Sequence, residues 1–174
     1  RHYKLWLEST SVLERLGNQD IAIDCESFFY RIEKEQKLFV KTKYYEEGRK
    51  LLEKEHMLML LGDPGVGKTM LTKMLALAFA AEGYRIRYTT NGELADLKRA
   101  LSADRERKEL IVLDDCLGQH YFKMQETKEN ELLALVKYIM RNPAKLLIMN
   151  SRVTIFHEAK ERSCDFRYFM EDEN

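Results

Sequence analysis

Residues 57–69 read MLMLLGDPGVGKT, and this stretch decides the fold of the chain. Its first part, MLMLL, is a short apolar run that stops at Gly62, which is typical of a buried parallel strand. Residues 62–69 then match the pattern G-x-x-x-x-G-K-[S/T] in full. Residues 68–82 continue with the apolar spacing of one helix face, at Leu71, Met74, Leu75, Ala78 and Phe79. A strand, a glycine-rich loop and an amphipathic helix in this order predict a phosphate-binding loop.

Each part of this loop has a chemical task. The glycines let successive backbone N–H groups face phosphate oxygens, and the following helix presents its positive end to the same anion. Lys68 is expected to reach the β- and γ-phosphates, and the Thr69 hydroxyl to bind magnesium. We therefore predict a site for ATP or GTP with Mg²⁺. Its nucleotide-binding residues are expected to be Gly62, Asp63, Pro64, Gly65, Val66, Gly67, Lys68, Thr69 and Met70.

The rest of the chain alternates predicted strands with predicted helices. Strands are predicted over 85–89, 110–113, 145–150 and 166–170, and helices over 44–55, 90–101 and 129–141. This order predicts an α/β fold, a three-layer αβα P-loop NTPase with a mostly parallel sheet. Short helices over 3–16 and 27–37 are expected to precede it. We divide the chain into a helical linker or N-terminal subdomain (1–38) and the NTPase core (39–174). We expect it to be a fragment of a longer multidomain protein.

Two acidic residues end the predicted strand over 110–113. Asp114 is placed as a Walker B aspartate should be, where a carboxylate beside Thr69 can hold magnesium through its water shell. Asp115 follows directly, and an acid at that point can orient the water that attacks the γ-phosphate. The alternative is that Asp115 caps the next turn. We predict Asp114 as a metal ligand and Asp115 as a catalytic residue.

A further cation follows the strand over 145–150, which ends in Asn150, Ser151 and Arg152. If that strand lies between the Walker A and Walker B strands, its end faces the γ-phosphate. The Arg152 guanidinium could then pair with a phosphate and stabilise the charge of the transition state. Asn150 is a second candidate for the same task. The alternative is a surface arginine that merely closes a strand.

Charge balance, cysteine spacing and the length of apolar runs argue against a nucleic-acid-binding, a disulfide- or zinc-stabilised and a membrane-spanning protein. The 29 Lys and Arg residues equal the 29 Asp and Glu residues, so no global basic field is available to hold nucleic acid or an anionic membrane. The cysteines, Cys25, Cys116 and Cys164, form no C-x-x-C pair, and Cys116 with His120 does not make a metal site. A reduced cytoplasmic location is expected. No apolar stretch is long enough to span a bilayer.

These motifs together resemble the additional-strand division of P-loop NTPases, and most of all the novel STAND type three domain. The matching pieces are residues 39–42 with Tyr45, 60–69, 113–119 and 146–152. The resemblance covers about residues 39–159. Where this family commonly has two threonines before its arginine, this chain has Asn150 and Ser151, which weakens a hydroxyl contact from the first of those positions.

The resemblance implies a weakly hydrolysing nucleotide switch that is closed with ADP and assembles into homo-oligomers with ATP. Sensor and effector domains would lie outside this segment, and many bacterial members act in defence against phage. By the same resemblance Phe39 and Val40 border the adenine, although core packing explains them equally well. It also favours ATP, since the guanine-specificity motif Asn-Lys-x-Asp does not occur.

Two other functions share the Walker motifs. An AAA+-type ATPase that moves or loads DNA would need a helical lid with a second arginine sensor, which this segment does not reach. A small-molecule kinase would need an acceptor pocket and an arginine-rich lid. Only residues 105–108 resemble such a lid, and a charged surface loop explains them better.

Overall fold

The computed structural model describes Tyr30 and residues 42–89, 94, 97–98, 101, 104–115, 126–162 and 167. Their helices are α1 (Lys43–Glu55), α2 (Lys68–Ala81), α3 (Glu126–Met140) and α4 (Val153–Arg162). Their strands are β1 (Met57–Leu61), β2 (Arg85–Thr89), β3 (Glu109–Leu113) and β4 (Lys145–Ser151). The α/β P-loop architecture predicted from the sequence is confirmed.

All pairings in the sheet are parallel, and the strand order is β1-β4-β3-β2. The chain therefore leaves β1, crosses to the far edge at β2, and returns through β3 to β4. Because parallel crossovers are right-handed, α2 and α3 cover opposite faces of the sheet. Every residue of β3 and β4 is buried, as expected for central strands that are covered on both faces. The carboxyl ends of all four strands meet at one edge, which the loop after β1 also borders.

Where the described residues test them, the predicted elements agree with the structure except at their ends and at two places. The predicted helix over 3–16, and the predicted 27–37 helix apart from Tyr30, lie outside the described residues. Leu94, Leu97 and Lys98 are helical within the predicted 90–101 helix, and Tyr30 is helical within the predicted 27–37 helix. The sequence did not predict α4, because it begins with the β-branched pair Val153 and Thr154 and is only 10 residues long. The predicted strand over 166–170 lies outside the described residues except for Arg167, which is helical.

In the described part of the chain, none of the helices combines the length and apolar character of a bilayer span. The hydrophobic core consists mainly of strand residues and the inner faces of α1, α2 and α3, and Ile155 and Ala159 of α4 also belong to it. Gly48 lets α1 approach β1 closely, because a Cβ there would lie 3.3 Å from Leu58 Cδ2 in β1.

A buried cluster of charges joins three strands at the amino ends of the sheet, far from the loop after β1. Glu109 Oε1 accepts from Arg87 Nη2 at 3.0 Å, and Glu109 Oε2 accepts from Lys145 Nζ at 2.7 Å. Lys145 also donates to the carbonyl oxygens of Asp104 and Arg107, at 3.0 and 2.9 Å. All three donors of the ammonium are thus used, and the turn before β3 is held against β4.

Glu109→Gln is expected to lower the free energy of unfolding by about 3–5 kcal/mol, because Arg87 and Lys145 lose the buried carboxylate they share. Urea denaturation followed by circular dichroism measures the change. Glu106→Gln is the control, since Glu106 is exposed in the turn before β3 and should stay within about 0.5 kcal/mol of the wild type. A loss below about 1 kcal/mol at Glu109 would mean that the cluster contributes little to stability.

Candidate nucleotide-binding site

The loop between β1 and α2 takes a conformation that only glycines adopt readily. Gly65 and Gly67 have φ values of 84° and 94°, and Gly67 occupies the N-cap of α2. The first helical hydrogen bond, from Leu71 N to Gly67 O, is 2.9 Å long. A Cβ at Gly62 would lie 2.9 Å from Val66 Cγ2, so the start of the loop is also confined to glycine unless Val66 moves. The loop therefore turns its backbone N–H groups inward at the amino end of α2.

Lys68 bridges the loop from the first turn of α2. Its Nζ donates to the carbonyl oxygens of Gly62 and Asp63, at 2.8 and 3.0 Å. These bonds hold the ammonium over the concave side of the loop, where a phosphate would bind. The side chain is half-buried, so part of its hydration is already removed before an anion arrives.

Asp114 lies directly beyond β3, between the ends of β2 and β4. Its backbone N–H donates to Thr89 O at 3.0 Å, which extends the β2–β3 ladder by one residue. Its carboxylate accepts two side-chain hydrogen bonds, from Asn150 Nδ2 at 2.8 Å and from Tyr88 OH at 3.1 Å. Both carboxylate oxygens of Asp114 are therefore held in place by other side chains of the domain.

Asp115 adopts a left-handed backbone conformation, with φ at 51°, and its side chain is exposed. Aspartate tolerates this region better than most residues do, because its short polar side chain can bond locally. Asp115 lines the same cavity as Gly65, Gly67 and Lys68 of the phosphate-binding loop. Residues 116–125 lie outside the described part of the chain, so capping by Asp115 stays untested.

A cavity of about 320 Å³ gathers most of the predicted site residues at the carboxyl edge of the sheet. This volume is at the lower end of the range for small-molecule sites. Its lining consists of Pro64, Gly65, Gly67, Lys68, Thr69, Met70, Asp114, Asp115, Asn150, Ser151 and Arg152. Gly62, Asp63 and Val66 belong to the loop without lining this cavity. Phe39 and Val40 lie outside the described residues, so their contact with adenine stays a prediction.

The position of β4 brings Arg152 to this cavity. Because β4 lies between β1 and β3, its carboxyl end emerges between the phosphate-binding loop and Asp114. Arg152 is half-buried and precedes α4, whose first turn is closed by a bond from Phe156 N to Arg152 O at 3.0 Å. The positive amino end of α4 therefore lies beside the arginine and adds to its attraction for an anion.

Two residues of this site were not predicted from the sequence. Tyr88 bonds Asp114 as described, and the Thr72 hydroxyl of α2 donates to Asn150 Oδ1 at 2.9 Å. The sequence does contain a signal for Thr72, since it lies one turn of α2 beyond Lys68 and therefore on the same face of the helix as a predicted site residue. Nothing in the local pattern around Tyr88 indicated a polar partner.

The oxygen atoms at this edge suit a hard divalent cation. Thr69 and Asp114 line one cavity. Hydroxyl and carboxylate oxygens are both ligand types that magnesium prefers. Within the described ranges no group of three or more His, Cys, Asp or Glu residues is arranged to hold a metal ion.

Comparison with known proteins now identifies the family. Residues 39–174 match the family described as novel STAND NTPase 3. The chain belongs to this family. As a novel STAND NTPase 3 domain it is a nucleotide-binding NTPase domain, in agreement with the resemblance found in its motifs. No protein with a curated description matches the chain significantly.

Among solved structures, the domain is similar to that described as the structure of C. elegans PCH-2. The TM-score is 0.44 and the sequence identity is 17%, over 82% of this chain. The match spans 40% of the PCH-2 chain, so more than half of that chain has no counterpart here.

Proposed function

We propose that this domain is an ATP-dependent switch that hydrolyses its nucleotide slowly. The observation that carries the proposal is the placement of β4 between β1 and β3. It brings Arg152 into one cavity with Lys68 and Asp114, so groups from three parts of the chain converge where a γ-phosphate would lie. A site built around the third phosphate can distinguish ATP from ADP, which a switch requires.

The proposed roles follow from the chemistry of each group. Lys68 and the loop amides bind the phosphates, while Thr69 and Asp114 hold Mg²⁺. Bound magnesium neutralises charge on the β- and γ-phosphates. Asp115 orients the water that attacks, and Arg152 stabilises the negative charge on the transferring phosphoryl group. The exposed position of Asp115 and the two hydrogen bonds on Asp114 suit these roles, since the base must reach a water molecule and the metal ligand must be held in place.

The energy needed for switching sets a condition on these contacts. Moving a two-state equilibrium from 1:99 to 99:1 requires a ligand to prefer one state by about 5.5 kcal/mol. A nucleotide bound with micromolar affinity contributes about 8 kcal/mol in total. The contacts of Lys68 and Arg152 with the γ-phosphate would therefore have to form largely in one conformation.

Arg152→Ala is expected to retain ADP affinity within about twofold and to weaken ATP binding by about 10- to 100-fold. A charge-assisted bond of about 1.5–3 kcal/mol to the γ-phosphate is lost, whereas ADP never makes it. Isothermal titration with ADP and with a non-hydrolysable ATP analogue, both with Mg²⁺, measures the two affinities.

Arg162→Ala is the matched control for this experiment. Arg162 lies at the opposite end of α4 and is 61% exposed, so both affinities should match the wild type. Equal ATP and ADP affinities in the wild type would contradict the switch. An Arg152→Ala protein with unchanged ATP affinity would remove the arginine from phosphate sensing.

The proposal extends to the longer protein on family grounds. We infer a cytoplasmic signalling protein that forms a homo-oligomer with ATP and carries sensor and effector domains beyond this segment, with anti-phage defence as its biological setting. Light scattering of the full-length protein with ADP and with the ATP analogue tests the assembly step. The same mass with both nucleotides would contradict it, and turnover stimulated by DNA would favour a DNA motor instead.

A further inference from the structure

Tyr88 reaches the metal-binding side of the site from the strand farthest from the phosphate-binding loop. Its ring is packed in the core with 9% of its surface exposed, and its hydroxyl donates to Asp114 Oδ2 at 3.1 Å. β2 is separated from β1 by β4 and β3, so no local motif connects this tyrosine to the loop. The contact exists because Tyr88 is in register with Val112, two residues before Asp114.

The other oxygen of Asp114 is held from the opposite side. Asn150 Nδ2 donates to Asp114 Oδ1 at 2.8 Å, and the Thr72 hydroxyl donates to Asn150 Oδ1 at 2.9 Å. The bond from Thr72 occupies the amide oxygen and thereby turns the amide nitrogen toward Asp114. Since side chains alternate along a strand, Tyr88, Asp114 and Asn150 all extend from the sheet face that α2 covers.

Two donors, one to each oxygen, fix the rotation of the Asp114 carboxylate. A carboxylate has about four lone-pair directions, so each oxygen keeps room for a metal-bound water. A ligand that is already oriented loses less side-chain entropy when the metal binds. Partners that orient metal ligands in this way typically change metal affinity or activity by about 10- to 100-fold when they are removed.

We propose that Tyr88 is a positioning residue for magnesium: with Asn150 and Thr72 on the other side, it holds the Asp114 carboxylate in the orientation that meets the Mg²⁺–nucleotide complex. This inference rests on the proposed function, because it concerns the metal of the same site. It gives Asn150 a task different from phosphate sensing, since its amide is directed at Asp114.

The test compares nucleotide binding with and without the metal in Tyr88→Phe, which keeps the ring and removes the hydroxyl. In EDTA, the affinity for a fluorescent ADP analogue should stay within about twofold of the wild type. Mg²⁺ is then added back. The Mg²⁺ concentrations that give half-maximal nucleotide binding and half-maximal ATP turnover should both rise by about tenfold, which is the lower end of the usual loss for such partners. Saturating Mg²⁺ should recover most of the turnover.

Tyr84→Phe is the control, because Tyr84 precedes the same strand at its other end and packs edge-on against Phe79, with ring centroids 5.3 Å apart. Its Mg²⁺ curve should match the wild type. Thr72→Val is a second variant that frees the Asn150 amide, and it should shift the Mg²⁺ curve in the same direction. It also tests the arrangement if Tyr88→Phe does not fold.

A Mg²⁺ curve for Tyr88→Phe that coincides with the wild type would overturn the proposal. So would an equal loss of affinity in EDTA and in Mg²⁺, which indicates general damage that a lower melting temperature would confirm. If the wild type itself bound nucleotide without any response to Mg²⁺, the proposed function would fail instead. The two failures are therefore distinguishable.

Discussion

Lys68→Ala is expected to abolish detectable nucleotide binding, with both ATP and ADP affinities falling by more than about 100-fold. Truncating one partner of a charged contact costs about 2–5 kcal/mol of binding free energy. A nucleotide bound with micromolar affinity has a binding free energy of about 8 kcal/mol in total. The lysine also bonds Gly62 O and Asp63 O, so alanine leaves two loop carbonyls without their donor and loosens the loop that must wrap the phosphates. Titration of a fluorescent nucleotide measures the loss.

Lys137→Ala is the control for this variant. Lys137 is exposed on α3, so its substitution removes the same charge at a place away from the cavity. Its affinity should equal that of the wild type. A melting temperature shows whether Lys68→Ala is folded. A folded Lys68→Ala protein that binds ATP within about threefold of the wild type would contradict the placement of the phosphates at this loop.

Asp115→Asn is expected to bind ATP with unchanged affinity and to lose turnover by about 100-fold or more. A positioned general base typically contributes about 10²- to 10⁴-fold, and asparagine cannot accept the proton of the attacking water. The substitution is suited to this backbone, since asparagine tolerates the left-handed conformation at φ 51° as aspartate does. Single-turnover release of phosphate measures the chemical step apart from product release.

Asp104→Asn serves as the control, because Asp104 lies in the exposed turn before β3 at the opposite edge of the sheet. Its turnover should match the wild type. Unchanged turnover in Asp115→Asn would remove this residue from the mechanism and leave it the structural task of ending β3. Loss of ATP binding together with turnover would assign it to the nucleotide contacts instead.

Local sequence carried the prediction of the phosphate-binding loop. The glycines, Lys68 and Thr69 are neighbours along the chain, so their spacing alone dictates a turn with inward N–H groups and a helix beginning at its end. The two acids after β3 were found for the same reason, since a buried strand that stops at a carboxylate is a local pattern. Phe39, Val40 and the boundary after residue 38 stay predictions.

Tertiary structure decided how these pieces meet. The strand order β1-β4-β3-β2 places Arg152 and Asn150 at the phosphate-binding loop. The bonds that organise Asp114 join residues 26, 36 and 78 positions apart, from Tyr88 to Asp114, Asn150 to Asp114 and Thr72 to Asn150. The buried cluster around Glu109 likewise appears only when three strands align. Periodicity reports which side of an element is buried, but the partner of a buried polar group is fixed by which strands become neighbours.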